Sequence, residues 1–192
     1  FKNNLNNLLT LDIGSGDGFF SKQMSLKKWN SFSYDSYIKK DLKYKNINNF
    51  NDSSLDLITL WHSIEHLHNL DYVMSKIKEK IKKNGYILIA CPNINSIDKT
   101  FFGSRWVAYD IPRHIYHFNP LTMKKMLLKY NLDIMKYYPM YQDTFFNVFL
   151  SINRNILVKI LLFPIYIILF SIISLVTKNK ASSYLYICKL KS

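Results

Sequence analysis

The sequence contains little cysteine, little glycine and almost no arginine. Cys91 and Cys188 are the only cysteines among 192 residues, and their wide separation excludes a disulfide framework and a cysteine-based zinc site. Both lie in apolar runs typical of strands, so we expect buried free thiols and a reducing compartment. Only three of the 26 basic residues are arginines. The sequence therefore lacks the arginine-rich patches, interleaved with aromatic residues, of a dedicated nucleic-acid-binding protein.

The chain carries a net charge of +13, because 26 basic residues stand against 13 acidic ones. Such a charge favours nucleic acid or an anionic membrane surface as a partner. Lysine, asparagine and isoleucine are abundant together, however, as codon bias in an AT-rich genome would produce. Composition alone leaves both interpretations open. The hydrophobic share of 48% excludes a disordered chain, and the length fits one domain with a full core.

Apolar residues recur with the periods of strands and helices in alternation. The predicted strands cover residues 8–13, 31–34, a short segment within 43–54, 55–61, 86–90, 133–138 and 184–190. The predicted helices cover residues 19–28, a stretch from Leu70 that ends at Asn84-Gly85, and a stretch that begins at Asn119-Pro120. This order predicts an α/β fold: a doubly wound, mostly parallel sheet of seven strands, the last of them antiparallel. Ligands of such a sheet bind at the carboxyl ends of the strands.

A glycine-rich loop follows the first predicted strand. Residues 12–18 read Asp-Ile-Gly-Ser-Gly-Asp-Gly, between a strand and a helix, which is the context in which such a loop binds a ligand. The spacing is Gly-x-Gly-x-Gly, and Phe19 stands where a dinucleotide fingerprint has its last glycine. The Gly-Lys-Ser/Thr ending of a phosphate loop is also missing here. Both phosphate-binding interpretations are therefore weakened.

The segment from Asp12 to Gly18 resembles motif I of class I S-adenosylmethionine-dependent methyltransferases. The resemblance continues through residues 54–58, 83–93 and 106–118, and it covers about residues 8–140 and 183–190. Residues 61–67, Trp-His-Ser-Ile-Glu-His-Leu, are similar to a segment of a broad bacterial group. That group includes relatives of ubiquinone-biosynthesis O-methyltransferases and enzymes found with glycan-synthesis genes. The resemblance implies a Rossmann-like methyltransferase fold, an enzyme, and S-adenosylmethionine as the cofactor.

The resemblance also implies a set of cofactor-binding residues: Asp12, Gly14, Gly16, Gly18, Asp35, Trp61 and His62. The glycine loop would wrap the methionyl part of the cofactor. Asp35, at the end of the second predicted strand, would accept hydrogen bonds from the ribose hydroxyls. No acidic residue clearly follows the third predicted strand, where many members of the class contact adenine. The adenine contacts are therefore unassigned, with backbone groups near residues 49–52 as one option.

Methyl transfer from a sulfonium is an in-line displacement, so the enzyme must align the acceptor and remove the proton of a hydroxyl. The segments after the fourth and fifth predicted strands face the methyl group in this fold, and they hold four of the five histidines. We expect His114 and His117 to be catalytic, because a neutral imidazole can act as a base near physiological pH. Arg113 would pair with an anionic group of the acceptor, or with Asp110. The alternative is a structural segment locked by hydrogen bonds.

The sequence predicts no metal site. His62, Glu65 and His66 stand at helical spacings, and the similar lipid-quinone enzymes carry a carboxylate-rich version of this segment that can hold a divalent ion. His62 occupies the position of a carboxylate in those enzymes, which argues against a hard magnesium site. The favoured interpretation is that Glu65 caps a helix and His66 packs.

Residues 156–176 form an apolar run with one charge, Lys159, and one proline, Pro164, and they lie within a predicted apolar helical insertion at 142–182. As a helix this run would be about 31 Å long, enough to cross a bilayer. A single crossing would separate the strand at 184–190 from the rest of its sheet. The sequence therefore favours shallow or re-entrant membrane attachment, with a bend at Pro164, over an oligomer contact or a true span.

We therefore expect residues 1–192 to form a single methyltransferase domain whose N-terminal sequence is truncated. The expected function is O-methylation of a small-molecule or lipid- or glycan-linked acceptor, by a cytoplasmic protein that is peripheral on the inner membrane face. The membrane contact would run through residues 156–176, a homodimer is an open option, and a nucleic-acid partner is not expected. The alternatives are an RNA methyltransferase and a catalytically inactive, membrane-associated binding subunit.

Overall fold

The computed structural model describes residues 7–35, 45–152, 155–177 and 179–191. The strands are β1 (Leu9–Ile13), β2 (Asn30–Tyr34), β3 (Leu55–Trp61), β4 (Ile81–Pro92), β5 (Leu132–Pro139) and β6 (Ser183–Leu190). The α-helices are α1 (Phe19–Leu26), α2 (Leu70–Lys80), α3 (Ile97–Phe102), α4 (Pro120–Lys129), α5 (Tyr141–Ser151) and α6 (Ile156–Val176).

The described strands form one sheet in the order β2-β1-β3-β4-β6-β5. Strands β1 to β4 pair in parallel, and β6 pairs antiparallel with both β4 and β5. The carboxyl ends of β1, β2 and β3 therefore lie at one edge of the sheet, where ligands bind in such folds. The predicted α/β architecture, with its antiparallel last strand, is confirmed.

The described part of the chain contributes six strands to this sheet and not the predicted seven. The short third strand, predicted within residues 43–54, is not formed over residues 45–54, and residues 43 and 44 lie outside the described ranges. A 3₁₀ turn at Ile47–Asn49 stands there instead, because the Asn46 side chain accepts a hydrogen bond from the Asn48 backbone N–H at 2.9 Å. Asparagine side chains compete in this way with the backbone bonding of a strand.

Helix α2 ends at Lys80, so the prediction that Asn84-Gly85 ends it was wrong. The backbone N–H groups of Ser53 and Ser54 donate to the carbonyls of Glu79 and Lys80, each at 3.0 Å, and satisfy the last turn without a glycine cap. Asn84 and Gly85 belong to β4. A Cβ atom on Gly85 would lie 2.8 Å from Ile81 Cδ1 and 3.0 Å from the Leu55 carbonyl oxygen, so the glycine permits close packing.

Helix α4 begins as the sequence predicts. Asn119 accepts a hydrogen bond from the Thr122 N–H and donates its own N–H to Thr122 Oγ1, each at 2.9 Å, and Pro120 is the first helical residue. This reciprocal pair satisfies donors that a helix start leaves open.

Helices α5 and α6 form an apolar pair beside the sheet. They pack through Phe145, Phe149 and Phe163, with ring centroids 4.6 and 5.4 Å apart. One face of α6 also packs against Phe102 and Trp106 through the buried Phe170. Helix α6 continues through Pro164 and does not turn back there. It is long and apolar enough to cross a membrane, and 6% of its most apolar stretch is buried against the rest of the described chain.

Candidate cofactor site

A cavity of about 810 Å³ opens at the carboxyl ends of β1, β2 and β3. This volume lies within the range of small-molecule sites, roughly 300–1,000 Å³. Its described lining comprises Ile13, Gly14, Tyr34, Asp35, Ile47, His62, Ser63, His66, Leu67, His68, Asn69, Tyr72, Val73, Pro112, Arg113 and Ile115. The cavity lies where the topology predicts a ligand.

The glycine loop at the floor of the cavity depends on left-handed backbone angles. Gly14, Gly16 and Gly18 have φ values of +72°, +55° and +78°. A Cβ atom on Gly14 would lie 2.3 Å from the Cβ of Ser63, whose hydroxyl donates to the Ile13 carbonyl at 2.7 Å. The loop therefore lies against the segment after β3, and Gly14 permits this contact. Gly16 has no atom within 4 Å of a built Cβ, so its α-carbon faces open space.

Asp35 lies at the edge of the cavity directly after β2, as the sequence predicts. Its Oδ2 accepts a hydrogen bond from the Gly16 N–H at 3.0 Å. This bond ties the end of β2 to the glycine loop. A carboxylate has capacity for several hydrogen bonds, so Asp35 can accept more from a ligand in the cavity.

Asp12 lies below the glycine loop and is 3% exposed, outside the cavity lining. Thr59 donates to its Oδ1 at 2.6 Å across the β1–β3 pair. Burial raises the pKa of Asp12 to about 7, and repulsion from Asp35 adds to this rise, while the Thr59 hydrogen bond opposes it. Asp12 therefore places a buried, titratable carboxyl group beneath the glycine loop.

His62 lines the cavity and forms an ion pair with α5. Its Nε2 lies 2.9 Å from Asp143 Oδ2, and its Nδ1 lies 3.5 Å from Glu65 Oε1. Burial disfavours the charged imidazole, but the two carboxylates outweigh this effect and raise the pKa of His62 to about 10. His62 is thus a cation near neutral pH, and it connects the cavity wall to the apolar helix pair. Trp61, also predicted to bind the cofactor, packs on Phe20 with ring centroids 5.5 Å apart and is not among the described lining residues.

The three residues predicted to be catalytic lie between α3 and α4, at different distances from the cavity. Arg113 lines it and is held by Asp110, at 3.0 Å from Nε and 2.7 Å from Nη2. His114 lies behind His66, with ring centroids 4.7 Å apart. His117 packs on Tyr109 and bonds the Tyr109 carbonyl at 3.1 Å, away from the described lining. Of the three, the structure brings Arg113 to the cavity and His114 next to it.

Several lining residues were not predicted to bind the cofactor. Ile47, Leu67 and Val73 supply apolar wall, and Tyr72 and Asn69 add polar groups near the start of α2. The adenine contact suggested near residues 49–52 is not among the described lining, although Ile47 of the adjoining turn is. His66 was predicted to pack and instead lines the cavity. The histidine-rich sequence at 62–68 was the available signal for this role.

Comparison with known families gives a direct match. The model of a family described as a methyltransferase domain matches residues 3–137. No curated protein matches the sequence significantly. The matched range contains the glycine loop, Asp35 and all the described residues that line the cavity.

Solved structures with the same fold are distant in sequence. An S-adenosylmethionine-dependent methyltransferase from Archaeoglobus fulgidus has a TM-score of 0.58 at 18% identity, over 95% of this chain and 86% of that one. Magnesium protoporphyrin IX methyltransferase from Synechocystis PCC 6803, solved with S-adenosylhomocysteine, has a TM-score of 0.58 at 10% identity, over 98% and 76%. Phosphoethanolamine N-methyltransferase 2 from Haemonchus contortus, solved with S-adenosylmethionine, has a TM-score of 0.62 at 15% identity, over 100% and 50%. At these identities the likeness concerns the fold.

Proposed function

The chain belongs to the methyltransferase domain family, and from this premise we propose that it methylates a small-molecule or lipid-linked acceptor at the cytoplasmic face of a membrane. It is an S-adenosylmethionine-dependent methyltransferase, as motif I indicated. The identity of the acceptor, the O-methylation chemistry and the membrane location are the proposed parts.

The cavity at the ends of β1, β2 and β3 is the observation that carries the proposal. Its residues fit the cofactor: Gly16 keeps the loop backbone open to a ligand, and Asp35 presents a carboxylate to hydroxyl groups. Ile47 and Val73 provide an apolar wall that suits a flat ring. When bound, S-adenosylmethionine supplies an electrophilic methyl group on its sulfonium.

The acceptor would enter beside Arg113, on the side of the cavity formed by the segments after β3 and β4. The Arg113 side chain is 76% exposed, so its guanidinium can exchange Asp110 for an anionic group of the acceptor. His66 and His68 line the same cavity. This combination of a guanidinium and two imidazoles suits an acceptor that carries a phosphate or carboxylate near the hydroxyl to be methylated.

Helix α6 supports attachment to the membrane surface. An in-plane helix normally needs a polar face, and α6 has none. Here the protein itself covers the inner face through Phe170, so the outer face alone can lie in the bilayer. Strand β6 follows α6 and pairs between β4 and β5, so both ends of α6 stay with one sheet. This connection favours shallow attachment over a true span.

The cofactor part is tested by calorimetric titration of S-adenosylhomocysteine into wild type and Asp35→Asn. Hydrogen bonds to a charged group contribute about 1.5–3 kcal/mol, so the variant should bind roughly 10- to 100-fold more weakly. Asp17→Asn is the matched control, because Asp17 lies in the same loop but is exposed and bonds the Phe19 N–H. Equal affinity of the wild type and Asp35→Asn would contradict the assignment of Asp35.

The acceptor is tested by incubating the wild type with labelled S-adenosylmethionine and candidate acceptors. We expect label in polyisoprenoid-linked or phenolic lipids that carry an anionic group. Transfer of the label to RNA in place of lipids would contradict the proposal and support the alternative of an RNA methyltransferase, which the positive net charge favours.

Membrane attachment is tested by flotation with vesicles that contain anionic lipids. Leu161→Glu and Ile165→Glu place a charge on the exposed face of α6 and should abolish flotation. Leu26→Glu is the matched control, because Leu26 is 72% exposed on α1, outside the α5–α6 pair. Flotation of all four proteins, or of none, would contradict attachment through α6.

A further inference from the structure

The α5–α6 pair lies at the same edge of the sheet as the cofactor cavity. Helix α5 begins just after β5 ends at Pro139, and α6 leads into β6, which begins at Ser183. In the sheet Ser183 pairs with Pro92, at the carboxyl end of β4. Its neighbour Tyr184 pairs with Pro139, at the carboxyl end of β5. The helix pair therefore leaves and rejoins the sheet at the carboxyl edge, where the cavity opens.

The segment between α3 and α4 connects this helix pair to the cavity. Near its start, the Val107 N–H donates a hydrogen bond to Ser151 Oγ, at the end of α5, at 2.9 Å. Further along, Pro112, Arg113 and Ile115 line the cavity. These three residues are also exposed to solvent, so they mark the mouth of the cavity.

Two isoleucines at this mouth are exposed. Ile111 is 72% exposed and Ile115 is 41% exposed. A single exposed isoleucine is ordinary on a protein surface. These two, however, stand on either side of Arg113 and at the same edge of the sheet as the exposed apolar side chains of α5 and α6. Extended apolar surface of this kind marks a membrane or protein contact.

Backbone hydrogen bonds hold the two isoleucines in these positions. The Ile115 N–H donates to the Glu65 carbonyl at 2.8 Å, which ties the segment to the turn after β3. The His114 N–H donates to the Asp110 carbonyl at 3.0 Å and closes a turn that contains Ile111. The exposure of these side chains is therefore built into the fold of the segment.

Positive charge is in excess along the same edge. Residues 93–118 and 139–182, which include the segment and the helix pair, contain seven lysines and arginines and three aspartates. Asp98 is fully buried, Asp110 pairs with Arg113, and Asp143 pairs with His62. The carboxylates at this edge are thus buried or paired, and the remaining cations attract the anionic lipids of a membrane surface.

We propose that Ile111 and Ile115 form a second membrane contact, which together with α6 turns the mouth of the cavity toward an anionic bilayer. The proposal rests on the proposed function, in which α6 attaches to the membrane. The acceptor is then a lipid whose anionic head group reaches Arg113 while its tail stays in the bilayer. A second copy of the chain is the competing occupant, but the excess positive charge opposes contact between two such edges.

The first test uses Ile111→Cys labelled with a thiol-reactive, environment-sensitive dye. Cys91 and Cys188 are buried, so the dye reacts with the introduced thiol. With phosphatidylglycerol vesicles, the emission should rise and a nitroxide-labelled lipid should quench it. Leu26→Cys is the matched control, because Leu26 is also 72% exposed. It lies at the end of α1, which runs from the glycine loop to the start of β2, so its dye should respond to neither addition.

The second test measures the partition of the unlabelled protein into the same vesicles. Ile111→Ser should weaken this partition about tenfold, the lower end of what burial of an isoleucine side chain contributes. Leu26→Ser should bind as the wild type does. Circular dichroism and S-adenosylhomocysteine titration establish that each variant is folded with an intact cofactor site.

Flotation of the wild type tests attachment through α6 separately. If the wild type floats but the dye responds alike at positions 111 and 26, the proposal is overturned and attachment through α6 stands. Equal quenching with phosphatidylcholine vesicles would overturn the anionic partner. Emission that rises with protein concentration in the absence of vesicles would overturn the proposal in favour of a second copy. A wild type that does not float contradicts the proposed attachment itself, and the second contact fails with it.

Discussion

The two aspartates beside the glycine loop, Asp12 and Asp35, lie in different environments. Asp12 was predicted to bind the cofactor, but it lies under the loop, where Thr59 donates a hydrogen bond to it. Asp35 presents its carboxylate at the cavity itself. Two aspartates of one predicted set thus occupy different environments, and they should respond differently to pH.

Asp12 makes the stability of the cofactor-free protein depend on pH. Its pKa rises from 3.8 to about 7 on folding, so the folded state binds the proton more tightly than the unfolded state does. This contribution to stability is present below about pH 4, falls as pH rises toward 7, and is constant above. Each pH unit of the shift corresponds to about 1.4 kcal/mol, so the total change is up to roughly 4 kcal/mol.

Asp12→Asn should remove this dependence and keep the hydrogen bond from Thr59. The measurement is the free energy of unfolding in urea, taken for both proteins from pH 4 to pH 8. The free energy of unfolding of the variant, relative to that of the wild type, should increase across this range. Parallel curves for the two proteins would contradict the raised pKa.

At the scale of elements, the sequence predicted the positions of most strands and helices but not all of their ends. The start of α4 was predictable because Asn119, Pro120 and Thr122 form a local signal. The end of α2 was not, because backbone groups of Ser53 and Ser54, distant in the chain, satisfy its last carbonyls. Asparagine and glycine in β4 resembled a helix end, whereas Gly85 serves packing against Ile81.

The cap of α4 should contribute to stability as an isolated feature. Asn119→Ala removes the acceptor for the Thr122 N–H, and loss of such a cap costs about 1 kcal/mol. Chemical unfolding of this variant should show a lower midpoint with an unchanged slope. Asn119→Asp keeps an acceptor and should match the wild type, so an equal loss in both variants would rule out the capping explanation.

At the scale of the whole molecule, the α5–α6 pair gives the protein an apolar surface on one side. Exposed side chains on the two helices include Phe146, Leu157, Leu161, Ile165, Ile168 and Ile172. Contiguous apolar surface of this kind marks a membrane or protein contact. The sequence indicated the apolar run, but only the packing of Phe170 shows that one face is already covered.

Without lipid, this surface should cause the full chain to associate. Sedimentation velocity in plain buffer should show concentration-dependent oligomers, and a mild non-ionic detergent should convert them to monomers. A homodimer of fixed size that persists in detergent would instead favour the oligomer contact that the sequence left open. Leu161→Glu should reduce the association in buffer.

The candidate site, like the secondary structure, could be predicted from the sequence only in part. The glycine loop and Asp35 were predictable, because a strand, a loop and the end of the next strand carry them in order. The meeting of His66 with His114 was not, because 48 positions separate them and the β3–β4 pairing brings them together. Chemistry that depends on long-range approach requires the folded structure.

The placement of β6 also has a consequence for how the protein is made. β6 follows all the other described elements in the chain, yet it lies between β4 and β5 in the sheet. While the ribosome is still synthesising residues 183–190, β5 has no neighbour in the sheet through which to join β4, and α6 has already been translated. The apolar helix therefore leaves the ribosomal tunnel before the sheet can close. During that interval targeting factors and the bilayer can reach it, so the contact with lipid can be made before folding is complete.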